Sequence, residues 1–338
     1  MPKQQITIPI FLPNLGCPHR CVFCDQKKST STKQVPGPEL IDTMIENYLP
    51  HIKKSVRRIE LAFFGGSFTG IKRETQETFL RAAHRHLENN TIQGIRLSTR
   101  PDYIDDRALE LLKKYEVSTV ELGVQSFDDS VLEASGRGHS ADDVYKAVRY
   151  LKMHGFDFVI QLMPGLVGDN RESSLRSASE AASLNPTAVR LYPAVVLKGT
   201  GLEELYRSGR YSPLSIEEAI ELCKDMFLLF NSLLIPVIRM GIHPFAPGEI
   251  PNIVAGPYHP SFGYLVKTRV RRDEMTACME RHIGNGLPGA DRVSIRIPER
   301  FMEEYLGANR ENIAFLQSSF NIGHIDYLIE DIPAVMIA

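Results

Sequence analysis

The sequence contains no tryptophan and only five cysteines. An odd cysteine count excludes a fully paired disulfide framework, and three of the five fall between Cys17 and Cys24, a crowding that suits a metal site in a reducing compartment. Charge of one sign is not in excess. The net value of −2 over 338 residues gives no whole-chain signal for nucleic acid, although a local basic face is compatible with it. Long apolar runs are missing as well. The most apolar stretch, Met226 to Met240, is interrupted by Asn231, Ser232, Pro236 and Arg239 and is too short to cross a bilayer. Met1 to Phe11 lacks a charged segment followed by an apolar one, so no signal peptide is expected. Repeats and low-complexity tracts are lacking too. These absences lead to the expectation of a cytoplasmic protein with no membrane partner.

What remains is ordinary globular composition, 43% apolar and 24% charged, in a chain long enough for one large α/β domain and a smaller appendage. Short β-like runs alternate with longer helical ones. Strands are expected at Ile6–Phe11, Arg58–Phe64, Gly94–Thr99, Thr119–Gly123, Phe156–Leu162, Thr187–Tyr192 and Pro236–Gly241. Helices are expected at Glu39–Lys54, Thr75–Glu88, Asp105–Tyr115, Ala141–His154, Arg171–Leu184 and Ser215–Leu234, the last with Ser215 as N-cap. Strands alternating with helices imply parallel βαβ units, and this number of units suits a partial or complete (β/α) barrel. The barrel is expected to fill residues 1–245. After Gly241 the rhythm breaks into a Pro- and Gly-rich loop, and residues 246–338 read as a small α+β extension with a helix at Tyr264–His282.

Chemistry in such a fold gathers at the C-terminal ends of the strands. The unusual residues fall there: Gly65–Gly66–Ser67, Ser98–Arg100, Gln125–Ser126, Pro164–Gly165 and Tyr192–Pro193. The loop after the first strand holds Cys17, Cys21 and Cys24 in a C-x3-C-x2-C pattern. Three thiolates can bind three irons of a [4Fe–4S] cluster, which ordinarily takes four cysteines, and so leave the fourth iron open to an outside ligand. Phe23 would shield such a cluster from water. A structural zinc site built from the three cysteines and His19 is the alternative. Cys223 and Cys278 lie apart on helical patterns and read as buried apolar groups.

The C-x3-C-x2-C pattern with an aromatic before its third cysteine resembles the signature of the radical S-adenosylmethionine (SAM) superfamily. Further segments are similar to the catalytic subunit of Elongator, a tRNA wobble-uridine modifying enzyme: Phe64–Thr69, Ser98–Tyr103, Glu121–Ser126, Gly136–His139, Leu162–Leu166, Leu191–Pro193 and Gly199–Leu205. Oxygen-independent coproporphyrinogen oxidases share some of them, mainly Gly123–Gln125. The resemblance covers about Ile10 to Arg210 and, more weakly, continues to Arg272.

The resemblance implies roles. Cys17, Cys21 and Cys24 would hold the cluster, and the methionine part of SAM would chelate the open iron. Gly65, Gly66 and Ser67 would receive the SAM amino group. Ser98 stands where relatives usually carry a Glu that contacts SAM. Gln125 matches a polar position near the SAM ribose, and Gln161 replaces a ribose-binding Asp of some relatives. Arg137 matches an arginine that pairs with the SAM carboxylate. Met163 to Leu166 would cradle the adenine. One electron from the cluster would release a 5′-deoxyadenosyl radical that takes hydrogen from the substrate. An electron donor such as flavodoxin or ferredoxin is implied as a partner.

The substrate implied is a tRNA uridine. The chain ends at Ala338, so no acetyltransferase domain like that of Elongator's subunit is expected. Two other readings compete: an oxidase acting on a porphyrin or another small molecule, and a non-catalytic metal- or RNA-binding protein. Tyr192, Tyr258 and His259 are the candidate substrate contacts. The basic run Lys267, Arg269, Arg271 and Arg272 is either a phosphate grip or a solvated helix face.

Overall fold

The computed structural model of the chain describes residues 5–12, 15–18, 21–24, 37–53, 55–243, 252–284 and 292–337. In chain order its elements are β1 (Gln5–Phe11), α1 (Leu40–Tyr48), β2 (Arg58–Phe64), α2 (Arg73–Glu88), β3 (Gly94–Thr99), α3 (Asp106–Lys114), β4 (Val117–Gln125), α4 (Asp129–Ala134), α5 (Ala141–Met153), β5 (Asp157–Leu162), α6 (Arg171–Ser183), β6 (Ala188–Leu191), β7 (Val196–Leu197), α7 (Gly201–Arg207), α8 (Ile216–Ser232), β8 (Val237–Met240) and β9 (Ile253–Ala255). There follow α9 (Phe262–Gly284), β10 (Arg292–Pro298), α10 (Met302–Leu306), α11 (Glu311–Phe320), β11 (His324–Glu330) and β12 (Met336–Ile337).

Seven strands form one parallel sheet in the order β1-β2-β3-β4-β5-β6-β8. The sheet curls into a half-barrel. The Arg190 guanidinium on β6 lies 5.4 Å from the Phe64 ring on β2, although three strands separate them. In a flat sheet four strand spacings would hold the two backbones ~19 Å apart. Alternate residues explain the curl's two faces. Leu61, Leu97, Leu122, Ile160 and Leu191 point outward into the main core with the helices. Their neighbours Glu60, Arg96, Glu121 and Arg190 point inward and form a charged ladder. Arg96 bonds both Glu60 (2.8 Å) and Glu121 (2.9 Å), and Arg190 bonds Glu121 (2.9 Å) and the Tyr192 hydroxyl (2.9 Å).

Several helices begin at side-chain caps. Asp105 caps α3, and Ser140, Asn170 and Ser215 form reciprocal capping boxes with Asp143, Ser173 and Glu218. The first helix is shorter than its expected span to Lys54: α1 ends at Tyr48, and Pro50 continues it only as a 3-10 turn. Lys54 itself, like His19, lies outside the described residues. β4 is longer than expected at both ends and reaches Gln125 through a bulge.

A three-stranded sheet, β11-β10-β12, and the helices around it have their own core, which includes Met275, Met279, Ile295, Tyr305 and Leu316. Phe262 and Val266 at the start of α9 belong instead to the main core. The antiparallel pair β7–β9 ties the segment after residue 251 back to the half-barrel. The boundary expected near residue 245 falls within 244–251, outside the described residues.

Candidate functional site

The cysteine loop leaves β1 at Leu12 and is fastened on two sides. Ser67 N donates to Leu15 O (2.9 Å), and Val22 bridges Ser135 O (3.1 Å) and Leu202 N (2.7 Å). The turn into the third cysteine closes with Cys24 N donating to Cys21 O (3.0 Å). Phe23 and Met163 both pack against the apolar group of Val131, Leu166 and Ala194, so the residue expected to shield the cluster shares a core with the expected adenine cradle.

The glycine motif after β2 meets this loop backbone to backbone. Gly65 has φ +105°, a conformation that favours glycine, and Gly66 lies so close to Leu15 that no Cβ fits between them. Ser67 is wholly buried. Its hydroxyl bonds Thr99 Oγ1 (2.9 Å) and accepts from Arg100 N (3.3 Å), so the side chain holds β2 to β3. Ser98 lines a small crevice with Leu12, Phe64 and Gly66.

Across the rim, Gln125 adopts φ +75° at the bulge that ends β4. Strained backbone of this kind clusters at functional sites. Its side-chain oxygen accepts from Gln161 Nε2 (3.2 Å), and its backbone oxygen accepts from Met163 N (2.9 Å). The two glutamines expected near the ribose and the first residue of the adenine cradle therefore form one connected group. That cradle turns at Gly165, φ +83°, where Tyr211 donates to the carbonyl (2.6 Å) and Asp169 accepts from the amide (2.8 Å).

Arg137 is 6% exposed. It is aimed by Gly136 and Gly138, both at positive φ. Its guanidinium donates to Cys21 Sγ (3.3 Å) and Gly123 O (2.5 Å), and its Nε, also buried, has no partner among the described residues. Arg100 is a second buried cation of the site, paired with both oxygens of Asp102 at 2.9 Å. Burial, reinforced by Cys21, pushes the Cys17 thiol up; Arg100, Arg137 and the Ser67 backbone oppose that rise. His139 is also buried. Burial, with the charges of Arg137 and Arg100, holds it at about 3, so it is neutral near pH 7 and donates through Nε2 to Val124 O (3.2 Å).

Arg100, His139 and Tyr211 are site residues that the sequence reading did not single out. Arg100 and His139 had a signal, their places in the Ser98–Tyr103 and Gly136–His139 segments, although neither was given a role; Tyr211 had none.

The candidate substrate contacts divide. Tyr192 is held by Arg190 on the concave face. His259 accepts from Ser261 N through Nδ1 (3.1 Å) and so shapes the turn into α9. Tyr258 lies in the same turn, and Gly256 packs on Ala194 and Val195, which places this loop beside the end of β6. The basic run on α9 is largely neutralised from within: Arg269 pairs with Glu217 and Glu221, Arg271 with Glu274 and Glu304, and Lys267 with Glu304. The run is thus an ion-paired seam and not a free phosphate grip, and with Arg269 at 16% and Arg271 at 19% side-chain exposure it is not a solvated face either.

Among the described residues, no three His, Cys, Asp or Glu side chains gather tightly enough for a single metal ion. A cubane makes a different demand, because each thiolate caps a separate iron corner. The donor set suits it: three thiols on one loop, faced by a buried arginine with an unpartnered nitrogen.

Comparison with known proteins agrees with this geometry. The sequence matches the radical SAM superfamily over residues 12–179 and the radical SAM C-terminal domain over residues 186–272. It is 29% identical to a tRNA uridine(34) acetyltransferase of Methanocaldococcus jannaschii, over 61% of this chain and 45% of that protein. With Elongator complex protein 3 of Bos taurus the identity is 30%, over 63% and 47%. An uncharacterized protein of M. jannaschii is 31% identical over 66% of this chain and 71% of its own length. The chain thus spans about half the length of the named curated relatives. The fold matches the Elp3 of Methanocaldococcus infernus with a TM-score of 0.63 at 22% identity, covering 87% of this chain and 70% of that one. Among the described residues no helix is long and apolar enough to cross a membrane. The cysteine loop, the strand-end motifs and the two family matches have one common explanation: the chain is an enzyme fold of, and belongs to, the radical SAM superfamily.

Proposed function

We propose that this protein cleaves SAM reductively and directs the resulting radical to a uridine of tRNA. The observation that carries the reading is the union of the cysteine loop with the Gly65–Gly66 backbone on one side and with Arg137 on the other. Cys17, Cys21 and Cys24 would hold a [4Fe–4S] cluster and leave one iron for SAM. The chemistry such a cluster would supply is one electron for the sulfonium, whose C–S bond would break to methionine and a 5′-deoxyadenosyl radical. The residues of the chain position the cosubstrate. Gly65 and Gly66 offer backbone without a Cβ, Gln125 and Gln161 are paired to meet ribose hydroxyls, and Met163 to Leu166 form the adenine bed. Leu166 and Phe23 keep water from that side.

The tRNA reading draws on the relatives' names and on their radical SAM portion alone. Flavodoxin or ferredoxin would serve as electron donor. The test is anaerobic: reconstitute the cluster, add dithionite and SAM, and measure 5′-deoxyadenosine. Absence of product from a fully loaded cluster overturns the activity. Stimulation by bulk tRNA and not by porphyrinogen is the expected result; stimulation by porphyrinogen alone overturns the tRNA assignment.

A further inference from the structure

We infer that Arg137 is the counter-charge of the cluster: its guanidinium, bonded to the Cys21 sulfur, holds up the cluster's reduction potential as well as positioning that ligand. The inference rests on the cluster reading above.

The argument begins with desolvation. A guanidinium that is 6% exposed has left most of its water, and a buried cation is retained only where a negative group and hydrogen-bond acceptors compensate it. Buried Arg100 and the half-buried arginines of the half-barrel meet this demand with carboxylates. Arg100 has Asp102, Arg96 has Glu60 and Glu121, and Arg190 has Glu121. Among the described residues Arg137 has no carboxylate partner. Its acceptors are one neutral carbonyl, Gly123 O, and one sulfur, Cys21 Sγ. Among the described residues the cysteines, as thiolates on a cluster, are the groups that would supply the negative charge to balance Arg137. The backbone fixes this aim: Gly136 and Gly138 flank the residue at φ +64° and +68°, and Arg137 N is tied to Leu132 O (2.9 Å).

Hydrogen bonds to cluster sulfurs and nearby charge set the potentials of iron–sulfur centres. Reduction adds one negative charge, so a fixed cation and an N–H···S bond stabilise the reduced form more than the oxidised one. Arg137 then eases the uptake of one electron from a low-potential donor. The resemblance implied a different role, a pair with the SAM carboxylate. The buried Nε leaves that compatible, since the sulfur bond uses a different nitrogen of the guanidinium.

The test is a redox titration of the reconstituted full-length protein by electron paramagnetic resonance, with dithionite and no SAM. Arg137→Gln is expected to lower the midpoint so that the ratio of reduced to oxidised cluster at a fixed potential falls about tenfold, equivalent to about 59 mV for one electron. Arg137→Lys, which keeps the charge but not the fork, should fall between the two. An unchanged midpoint in Arg137→Gln, with only SAM binding weakened, overturns the inference. If Arg137→Gln fails to load, the wild type carries its own test. Protein labelled with 15N in the arginine guanidinium should show 15N hyperfine coupling to the reduced cluster, and the coupling should vanish in Arg137→Lys. No coupling in the wild type, or coupling that survives in Arg137→Lys, overturns the inference. A wild-type chain that takes up no cluster overturns the proposed function itself; a cluster indifferent to Arg137 overturns this inference alone.

Discussion

Gly66 and Leu15 touch through their backbones: a Cβ on Gly66 would stand 2.0 Å from the Leu15 carbonyl oxygen and 2.9 Å from that of Leu12. Neither obstacle is a flexible side-chain end, so Gly66→Ala must push the cysteine loop away from the end of β2. Overpacking of this kind costs about 1–3 kcal/mol. The larger effect is expected on the site, because Cys17 lies two residues beyond Leu15. Iron and sulfide per reconstituted chain should fall several-fold while thermal unfolding stays cooperative. Full metal content in Gly66→Ala would show that the contact does not place the cysteines.

Glu121 is 3% exposed and accepts from two arginines at once, Arg96 and Arg190, each at 2.9 Å. Glu121→Leu leaves two cations on the concave face without their shared partner. Removing one member of a buried ionic group costs about 3–5 kcal/mol. The urea midpoint should drop accordingly, and Glu121→Gln, which keeps an acceptor oxygen, should lose less. Equal loss in the two variants would mean that packing, not charge, is what Glu121 contributes.

Such ladders mark the limit of what the sequence discloses. The alternation of strands and helices was legible because each element carries its own period and its own stops, as at Thr99 before Pro101. The cysteine loop and the strand-end glycines were legible because the chemistry sits in short contiguous motifs. The helix α4 was not, since six residues are too few to show a period. Nor was α11, which starts after Arg310 in a left-handed conformation without a side-chain cap. The bond between Arg137 and Cys21 joins residues 116 positions apart, and no local pattern encodes it. Likewise nothing near Glu217 or Glu221 announces that they neutralise Arg269 from another helix.

His139 gives the fold a defined acid sensitivity. Its folded-state value of about 3 lies below the ordinary 6.5, mainly through burial, then through Arg137 and Arg100. The unfolded chain therefore takes up a proton near pH 6.5 that the folded chain refuses, and stability falls as pH drops through the window between these values. The slope approaches about 1.4 kcal/mol per pH unit, or about 2 kcal/mol by pH 5. Asp128 and Asp143, whose carboxyls are held below their usual range by hydrogen bonds, act only at lower pH. In urea titrations of the cluster-free chain under reductant, His139→Asn should flatten the loss between pH 7 and pH 5. An identical pH dependence in wild type and variant would count against a neutral buried His139.

Tyr211 donates to the Gly165 carbonyl at 2.6 Å, and burial raises its hydroxyl above the ordinary range, so it stays protonated and remains a donor throughout the useful pH span. Gly165 is the left-handed corner of the Met163–Leu166 turn, and Ala194 N reaches the adjoining Pro164 carbonyl (3.0 Å) from the opposite side. Tyr211→Phe removes one hydrogen bond from the bed expected under the adenine, at a cost of about 1 kcal/mol. The backbone bonds of the cysteine loop run to Ser67, Ser135 and Leu202, and Tyr211→Phe keeps the ring in the apolar group on which Val22 and Phe23 pack, so iron content should not change. SAM affinity, measured by calorimetry on the loaded protein, should weaken several-fold. Loss of iron with affinity intact would reverse the assignment and place Tyr211 with the cluster loop instead of the adenine turn.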